Sequence, residues 1–469
     1  MRLKWIAVIQ LAAFLIIVLL LLEFVTTNER RSVQHVGERR EEVKQQTNTT
    51  GFLSPLYGMI EALPHLADIG QLEPEILLGK TTKRKLVVAI PVVERARGSY
   101  LMETLKSITK WMNEKDREQL SIMVFIRSDS KEFAVSTAQK IQETFSSWSL
   151  WSSDDPPIQV LRVPQQLHPN DLASIVPTFN DTVERMVWRT SQNIDYMYVM
   201  SYGSQFGDYF LLMEDDLIAQ KDCLRNILFL IKIYANKQWI LMEFAMEGFL
   251  SKLFRSEDAR RFTRFVGLYY NRKPVDWLLS SFVENSICHP EKPKQCYQDF
   301  LSQIQRYLPS QFNHIGYHSS LPGKIQKIKE LGFGGNSKKL KKEYMAAILD
   351  TNMTRLQAHS PTDLWNFPVF FHAKQPEAGE TLTVTLDVSS SVHAILITSG
   401  TYTLPENIFE PNVEVLSVSN GITKSLGQFG QDGRFEMLLD CERLNQLIVR
   451  VNKEARRDVV LTNIHIVPC

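Results

Sequence analysis

The sequence predicts an α/β body followed by a smaller all-β sandwich, with one transmembrane helix at the N-terminus. Three observations carry this. An apolar run of bilayer length opens the chain, short apolar strands alternate with helical patterns through its middle, and alternating strands fill its last part. At 469 residues the chain exceeds what one hydrophobic core usually organises. Its 53 Lys+Arg against 52 Asp+Glu leave a net charge of +1, which excludes a protein built to coat nucleic acid. A content of 44% hydrophobic and 22% charged residues is that of a folded chain.

Residues 1–4 read as a cytoplasmic tail. Trp5–Val25, WIAVIQLAAFLIIVLLLLEFV, is interrupted only by Gln10 and Glu23 and matches the ~20 residues that span a bilayer core. Arg2 and Lys4 precede it and favour a cytoplasmic N-terminus with a lumenal body. A cleaved signal peptide has a shorter apolar region of ~7–15 residues ending in small side chains. This run ends in Glu-Phe-Val-Thr-Thr, so it reads as an uncleaved anchor. Residues 26–80 read as a stem: Arg30–Gln46 is dense in charge, and Pro55, Pro64 and Pro74 break any long helix.

The body, 81–356, opens with the strand pattern KLVVAIPVV at Lys85–Val93. Helical spacing over Tyr100–Trp111, a second strand at Ser121–Ile126 and a helix at Lys131–Phe145 continue an alternating α/β order. No glycine fingerprint follows the first strand. Glu94-Arg95-Ala96-Arg97 stands there, so a bound diphosphate would need side-chain charge or a metal.

The strongest chemical signal is DYFLLMEDD, Asp208–Asp216. Three consecutive carboxylates, Glu214, Asp215 and Asp216, end a buried strand and repel one another unless something positive relieves them. A divalent cation with oxygen ligands, Mn²⁺ or Mg²⁺, is the natural relief. A solvated turn before a helix capped by Asp222 is the plainer alternative. Two further carboxylates, Glu243 in WILMEF and Asp276 in PVDW, compete for a general-base role; Trp277 beside Asp276 could stack on a sugar. His314 and His318 stand four apart, but Gly316 between them argues loop or strand rather than one helix face. Cys288 and Cys296 enclose CHPEKPKQC and suit a disulfide better than zinc, which needs two more ligands. Cys441 and Cys469 are a second candidate pair, and five cysteines leave at least one over. Lys338, Lys339, Lys341 and Lys342 follow a glycine-rich stretch without a phosphate-loop pattern and read as a solvated loop.

Over 357–469 the texture changes to TLTVTLDV, AILIT, VEVLSV, FEMLL, LIVRV and NIHIV, separated by turn residues, which argues a β-sandwich. Trp365 is either a stacking platform or core. Asn48, Asn180 and Asn352 lie in sequons and permit glycosylation.

Six stretches resemble the N-acetylglucosaminyltransferase IV family: IPVVERARGSYLMETLKSI, ERMVWRTSQNIDYMYVMSYG, YFLLMEDD, WILMEFAMEGFLSKLF, KPVDWLL and LPSQFNHIGYHSSLPGKIQK. They run in family order across Leu86–Lys327. The resemblance implies a GT-A type nucleotide-sugar-binding domain and a lectin-like C-terminal domain, anchored in the Golgi membrane as a single-pass type II protein. It implies inverting, Mn²⁺-dependent transfer of GlcNAc from UDP-GlcNAc, in β-1,4 linkage, to the α1,3-arm mannose of N-glycans on glycoproteins. On this basis Asp216 holds the metal, Asp215 and Glu214 face ribose and uridine, Arg189 and Asn193 seat the nucleotide, and His314 meets the diphosphate. Asp276 is favoured over Glu243 as base. One stretch departs: VPQQLHPNDL, Val163–Leu172, lacks the acidic residue and tyrosines of the family's segment. That keeps open a silent, membrane-anchored relative that regulates another glycosyltransferase or binds glycans.

Overall fold

The computed structural model describes residues 55–95, 98–146, 157–289, 291–321, 323–327, 329–335, 337–342 and 345–469. Trp5–Val25, the stem up to residue 54 and Asn48 lie outside the described residues. Among those described, no helix is long and apolar enough to cross a membrane.

Among the described residues, ten strands build the N-terminal part: β1 (Glu75–Leu78), β2 (Arg84–Val93), β3 (Leu120–Arg127), β4 (Ile158–Arg162), β5 (Gly207–Leu212), β6 (Leu217–Ala219), β7 (Leu241–Glu243), β8 (Lys252–Arg255), β9 (Ile304–Arg306) and β10 (Phe312–His314). Six helices matter to the site: α1 (Leu101–Thr109), α2 (Lys131–Phe145), α3 (Val183–Gly203), α4 (Cys223–Ile233), α5 (Ser256–Tyr269) and α6 (Val275–Ile287). The four elements expected between Lys85 and Phe145 are thus present. The β-branched run of β2 is fully buried from Leu86 to Ile90, as a strand covered on both faces must be. α2 begins where Ser130 accepts from the Phe133 amide (3.0 Å), and α3 where Thr182 accepts from Arg185 (3.2 Å).

The larger sheet has the order β1-β4-β3-β2-β5-β8-β7-β9, with β4, β3, β2 and β5 parallel. β1 and β8 run antiparallel to their neighbours β4 and β5. From β2 the chain steps outward to β3 and β4, then returns to place β5 on the other flank of β2. At such a reversal the carboxyl ends of the strands open a crevice, where α/β sheets bind ligands. β6 and β10 pair as a separate two-stranded ribbon beside it.

The C-terminal part is sheet-rich, as its alternating pattern predicted. β11 (Ala347–Thr351), β12 (Phe371–Ala373), β13 (Thr381–Ser399), β14 (Val413–Ser419), β15 (Ile422–Gln428), β16 (Arg434–Val451) and β17 (Val459–Pro468) are joined antiparallel in one hydrogen-bonded network. FEMLL and LIVRV prove to be one strand, β16, which follows β13 through register shifts that bend both. β11 already belongs to this sheet, upstream of residue 357.

Trp365 is 2% exposed and donates Nε1–H to the Met345 carbonyl (3.0 Å), so it is core, not a platform. Lys342 departs from the solvated loop expected of its lysine run. It is buried and donates to Asn463 Oδ1 (2.8 Å) and the Leu364 carbonyl (3.0 Å); burial pulls its pKa down to about 7. Asn463 in turn donates to the Tyr307 hydroxyl (3.0 Å). Ala394, Leu396 and Val467 of the C-terminal sheet pack into the same core as β2 and α4. Asp222 does not cap α4 with its side chain; it pairs with Lys221 and Arg225, and Arg225 also pairs with Asp432. Cys288–Cys296 and Cys441–Cys469 are disulfide-bonded, and Cys223 is a buried thiol.

Candidate functional site

A cavity of about 230 Å³ opens at the carboxyl ends of β2, β3 and β5, between α3, the first turn of α6 and the segment 314–326. The apolar β5 is buried to its end, and the chain leaves it by delivering three carboxylates into this space. α1 holds that acidic turn in place: Thr104 Oγ1 donates to the Asp215 carbonyl (2.8 Å) and accepts from the Leu217 amide (2.9 Å). Arg95, just past β2, closes a fork on Asp215 (2.5 and 2.7 Å) and reaches Asp216 Oδ2 (3.2 Å). Arg95, which stands where a glycine fingerprint would begin, therefore neutralises the acidic motif from across the switch point.

Glu214, Asp216 and His314 offer one donor atom each within 4.8 Å of one another. His314 Nε2 lies 3.2 Å from Asp216 Oδ2, whereas Asp216 Oδ1 is buried with no hydrogen-bond partner among the described residues. Two carboxylates and an imidazole around an orphaned buried oxygen fit a divalent cation such as Mn²⁺. Gly316 permits the close approach: a Cβ there would overlap the Asp216 carboxylate. Burial first, then the charge of Asp216, pushes Glu214 well above the usual carboxylate range. Burial pulls His314 down, but its bond to Asp216 and the neighbouring charges outweigh this and hold it above its ordinary value. The Tyr196 hydroxyl donates to Glu214 Oε1 (3.2 Å).

Asp276 opens onto the same cavity from the first turn of α6. Loss of hydration pushes its pKa up, against the pull of Lys252 and Lys324. Lys324 lies on a hairpin in which Ser319 and Lys324 are backbone-paired (3.1 Å). Ser320 of that hairpin accepts from Trp188 Nε1 (3.0 Å), and the Lys324 ammonium sits 5.2 Å from the Trp188 ring centroid.

Three residues expected in the site lie elsewhere. Glu243 does not line the cavity; it is gripped by Lys252 (2.8 Å) and Arg306 (2.9 Å), and despite its burial these cations hold it below the usual carboxylate range. A carboxylate so paired is a poor proton acceptor. Arg189, 2% exposed, turns away from the cavity to Asp181 (2.8 Å), Thr178 Oγ1 (2.5 Å) and the Arg272 carbonyl (3.1 Å). Asn193 donates to the carbonyls of Tyr270 (2.7 Å) and Lys273 (2.8 Å), fixing the turn that leads into α6. The face of α3 that lines the cavity is Trp188, Gln192, Asp195 and Tyr196, a spacing of i, i+4, i+7 and i+8.

Asp195 also explains where the divergent segment goes. It accepts from Arg127 Nε (2.8 Å) and pairs with His168 Nε2 (2.8 Å), so a residue of VPQQLHPNDL supports the cavity wall. His318 bridges to Ile325 in the hairpin and is not part of the donor cluster. Of the sequons, Asn180 is exposed, and the Asn352 side chain accepts from the Thr381 amide (2.7 Å).

Residues 52–333, more than half of the chain, match the family described as MGAT4 conserved region. Alpha-1,3-mannosyl-glycoprotein 4-beta-N-acetylglucosaminyltransferase A of Bos taurus is 30% identical over 373 residues, covering 76% of this chain and 67% of that relative. The Xenopus tropicalis protein of the same name is 30% identical over 402 residues, covering 84% and 73%. The B form of Danio rerio is 30% identical over 362 residues, covering 76% and 65%. The chain thus spans about two thirds of the length of these relatives. Among solved structures, the family 32 CBM from C. perfringens NanJ in complex with galactose covers 26% of this chain and 92% of its own, at 15% identity and a TM-score of 0.22, too low to define the fold. The family match, the relatives and the acidic strand end place the chain in the N-acetylglucosaminyltransferase IV family.

Proposed function

We propose that the chain is an inverting glycosyltransferase with a GT-A type donor domain, moving GlcNAc from UDP-GlcNAc in β-1,4 linkage to the α1,3-arm mannose of an N-glycan. One observation carries this most: Glu214, Asp216, His314 and Asp276 share a single cavity at the switch point of the sheet. Asp216, Glu214 and His314 would hold Mn²⁺, which supplies positive charge against the sugar-linked diphosphate. Arg95 keeps Asp215 and Asp216 from repelling each other, so the turn stays folded whether or not a nucleotide is present.

Asp276 is the base. The acceptor hydroxyl oxygen attacks the anomeric carbon, its proton passes to Asp276, and the bond from that carbon to the diphosphate breaks to release UDP. A carboxylate whose pKa is raised by lost hydration accepts that proton more readily than an ordinary one. Lys324, facing Asp276 and Glu214 from the hairpin, would add positive charge to the cavity in which charge develops on the departing diphosphate. The same reading takes Trp5–Val25 as a Golgi membrane anchor and the C-terminal sheet as a lectin-like domain.

Mn²⁺-dependent release of UDP by the purified lumenal part, with a biantennary glycan acceptor and linkage analysis of the product, tests the reading. Transfer to the α1,3 arm is the expected result. UDP-GlcNAc binding without transfer to any glycan would instead favour the silent regulator, which the divergent stretch Val163–Leu172, whose His168 pairs with Asp195 of the cavity wall, keeps in view.

A further inference from the structure

Two aromatic rings stand open to solvent at the first turn of α6, which carries Asp276 to the cavity. Phe179 is 55% exposed and Trp277 is 51% exposed, and they meet edge to face with centroids 5.1 Å apart and planes at 74°. They come from different elements: Trp277 follows Asp276 in the first turn of α6, and Phe179 lies on the loop before α3. Large apolar rings buried as core would be covered; these are not.

The loop is held in a conformation that it would not adopt for its own sake. Phe179 and the next residue, Asn180, both sit in the left-handed region (φ 60° and 58°), which residues bearing a Cβ rarely enter. What imposes it is the fork of the buried Arg189, which grips Thr178 and Asp181 on either side of Phe179 and the Arg272 carbonyl beneath. Thr178 Oγ1 donates to the same Arg272 carbonyl (2.7 Å), and the Arg189 guanidinium lies 5.8 Å from the Phe179 ring. Asn193 fixes the following turn, Tyr270–Lys273, through which the chain enters α6. Two buried polar side chains of α3 thus lock the Phe179 loop and the Trp277 helix to one support, while the rings they present remain uncovered.

From this we infer that Phe179 and Trp277 form an acceptor-side sugar platform, on which the apolar C–H face of a pyranose ring of the acceptor oligosaccharide stacks while its neighbouring hydroxyl lies at Asp276. The inference rests on the proposed role of Asp276. It makes Arg189 and Asn193 positioning residues for the acceptor, in place of nucleotide ligands. A pyranose suits the pair because its C–H groups meet an aromatic face while its hydroxyls stay in water, which suits a platform only half covered by protein. A hydrophobic peptide would need a continuous apolar groove, and the flanking Asp276 and Lys273 do not provide one.

The test compares the full chain with Phe179→Leu and Trp277→Phe, both of which keep an apolar side chain and so preserve folding, and with the more severe Trp277→Ala. The acceptor KM is expected to rise roughly tenfold in Phe179→Leu and Trp277→Ala, and less in Trp277→Phe. The donor KM and calorimetric UDP affinity should stay within twofold of the parent chain. Direct titration with the free biantennary glycan in the presence of UDP should perturb a tryptophan emission that is missing from Trp277→Phe. An unchanged acceptor KM in Phe179→Leu and Trp277→Ala, or an equal loss of donor affinity, overturns the platform. If no variant and no parent chain transfers GlcNAc, the glycan titration still decides: binding lost in Trp277→Ala upholds the platform and removes only the catalytic reading, and no binding by the parent chain overturns the platform.

Discussion

Asp276 at the mouth of α6 and Glu243 at the end of β7 are the same kind of group in sequence, a carboxylate beside aromatic and apolar residues, yet the fold gives them opposite chemistry. Glu243 closes an ion-pair network with Lys252 and Arg306 and is held low. Asp276 has no such partner among the described residues, opens onto the cavity and is pushed up. The same Lys252 that clamps Glu243 acts on Asp276 only through space. On the proposed reading, a carboxylate left without an ion-pair partner beside a cavity is free to act as a base, and one that is paired acts as a strut.

The widest separation between the two regions is expected from removing cavity carboxylates. Asp216→Asn should take transfer below detection and abolish Mn²⁺ binding as read by electron paramagnetic resonance, while Arg95 still grips Asp215 and the fold persists. Asp276→Asn should lower kcat by ~10²–10⁴ with UDP affinity unchanged, the usual worth of a positioned base. Glu243→Gln, if it lowers kcat as much without unfolding the protein, would hand the role of base back to β7.

At the strut the comparison reverses, and stability is the readout. Lys252 is buried, so Glu243→Gln leaves a cation without its partner; breaking such a pair costs about 3–5 kcal/mol in urea unfolding. Because the folded pKa of Glu243 lies below its unfolded value, its contribution is present above the usual carboxylate pKa and is lost as pH falls through the folded value. The parent chain should therefore lose stability on acidification more steeply than the variant.

The same contrast shows what the sequence could and could not reveal. The strands and helices from Lys85 to Phe145 were legible because burial on both faces of β2 and β3 demands an unbroken apolar run, and Ser130 marks where α2 starts. The acidic strand end was legible because three adjacent carboxylates after an apolar strand require a reason. The orientation of α3 was not. From Arg189 to Gly203 nearly every residue is buried, so no polar face marks which side meets the cavity; Arg189 and Asn193 stand one step round the helix from Trp188 and Gln192. Lys342 was misread for a related reason, since its fourfold lysine context looks solvated and only a distant strand supplies Asn463. Arg95 and Lys324 stand in stretches that resemble the family, yet nothing in those stretches marks them as site residues, and Phe179 lies outside them; Arg95 and Lys324 reach the cavity through a turn and a hairpin whose partners are far away in sequence.

The smallest expected effect sharpens the assignment of the base itself. Asp276 must be deprotonated to accept a proton, so kcat/KM should fall on the acid side as pH drops through its raised pKa. Lys252 and Lys324 both lower that pKa by favouring the charged form. Removing Lys324 therefore removes one of the two opposing influences, and the acid limb of the Lys324→Ala profile should move to higher pH. Lys324→Arg keeps the positive charge and should leave the limb where it was, even if altered geometry lowers the plateau. Lys252→Met is the less informative variant because it also breaks the Glu243 pair. An acid limb that stays fixed in Lys324→Ala, or that survives in Asp276→Asn with the same midpoint, would show that another group titrates there, and the distinction between the cavity carboxylate and the strut would have to be drawn on different residues.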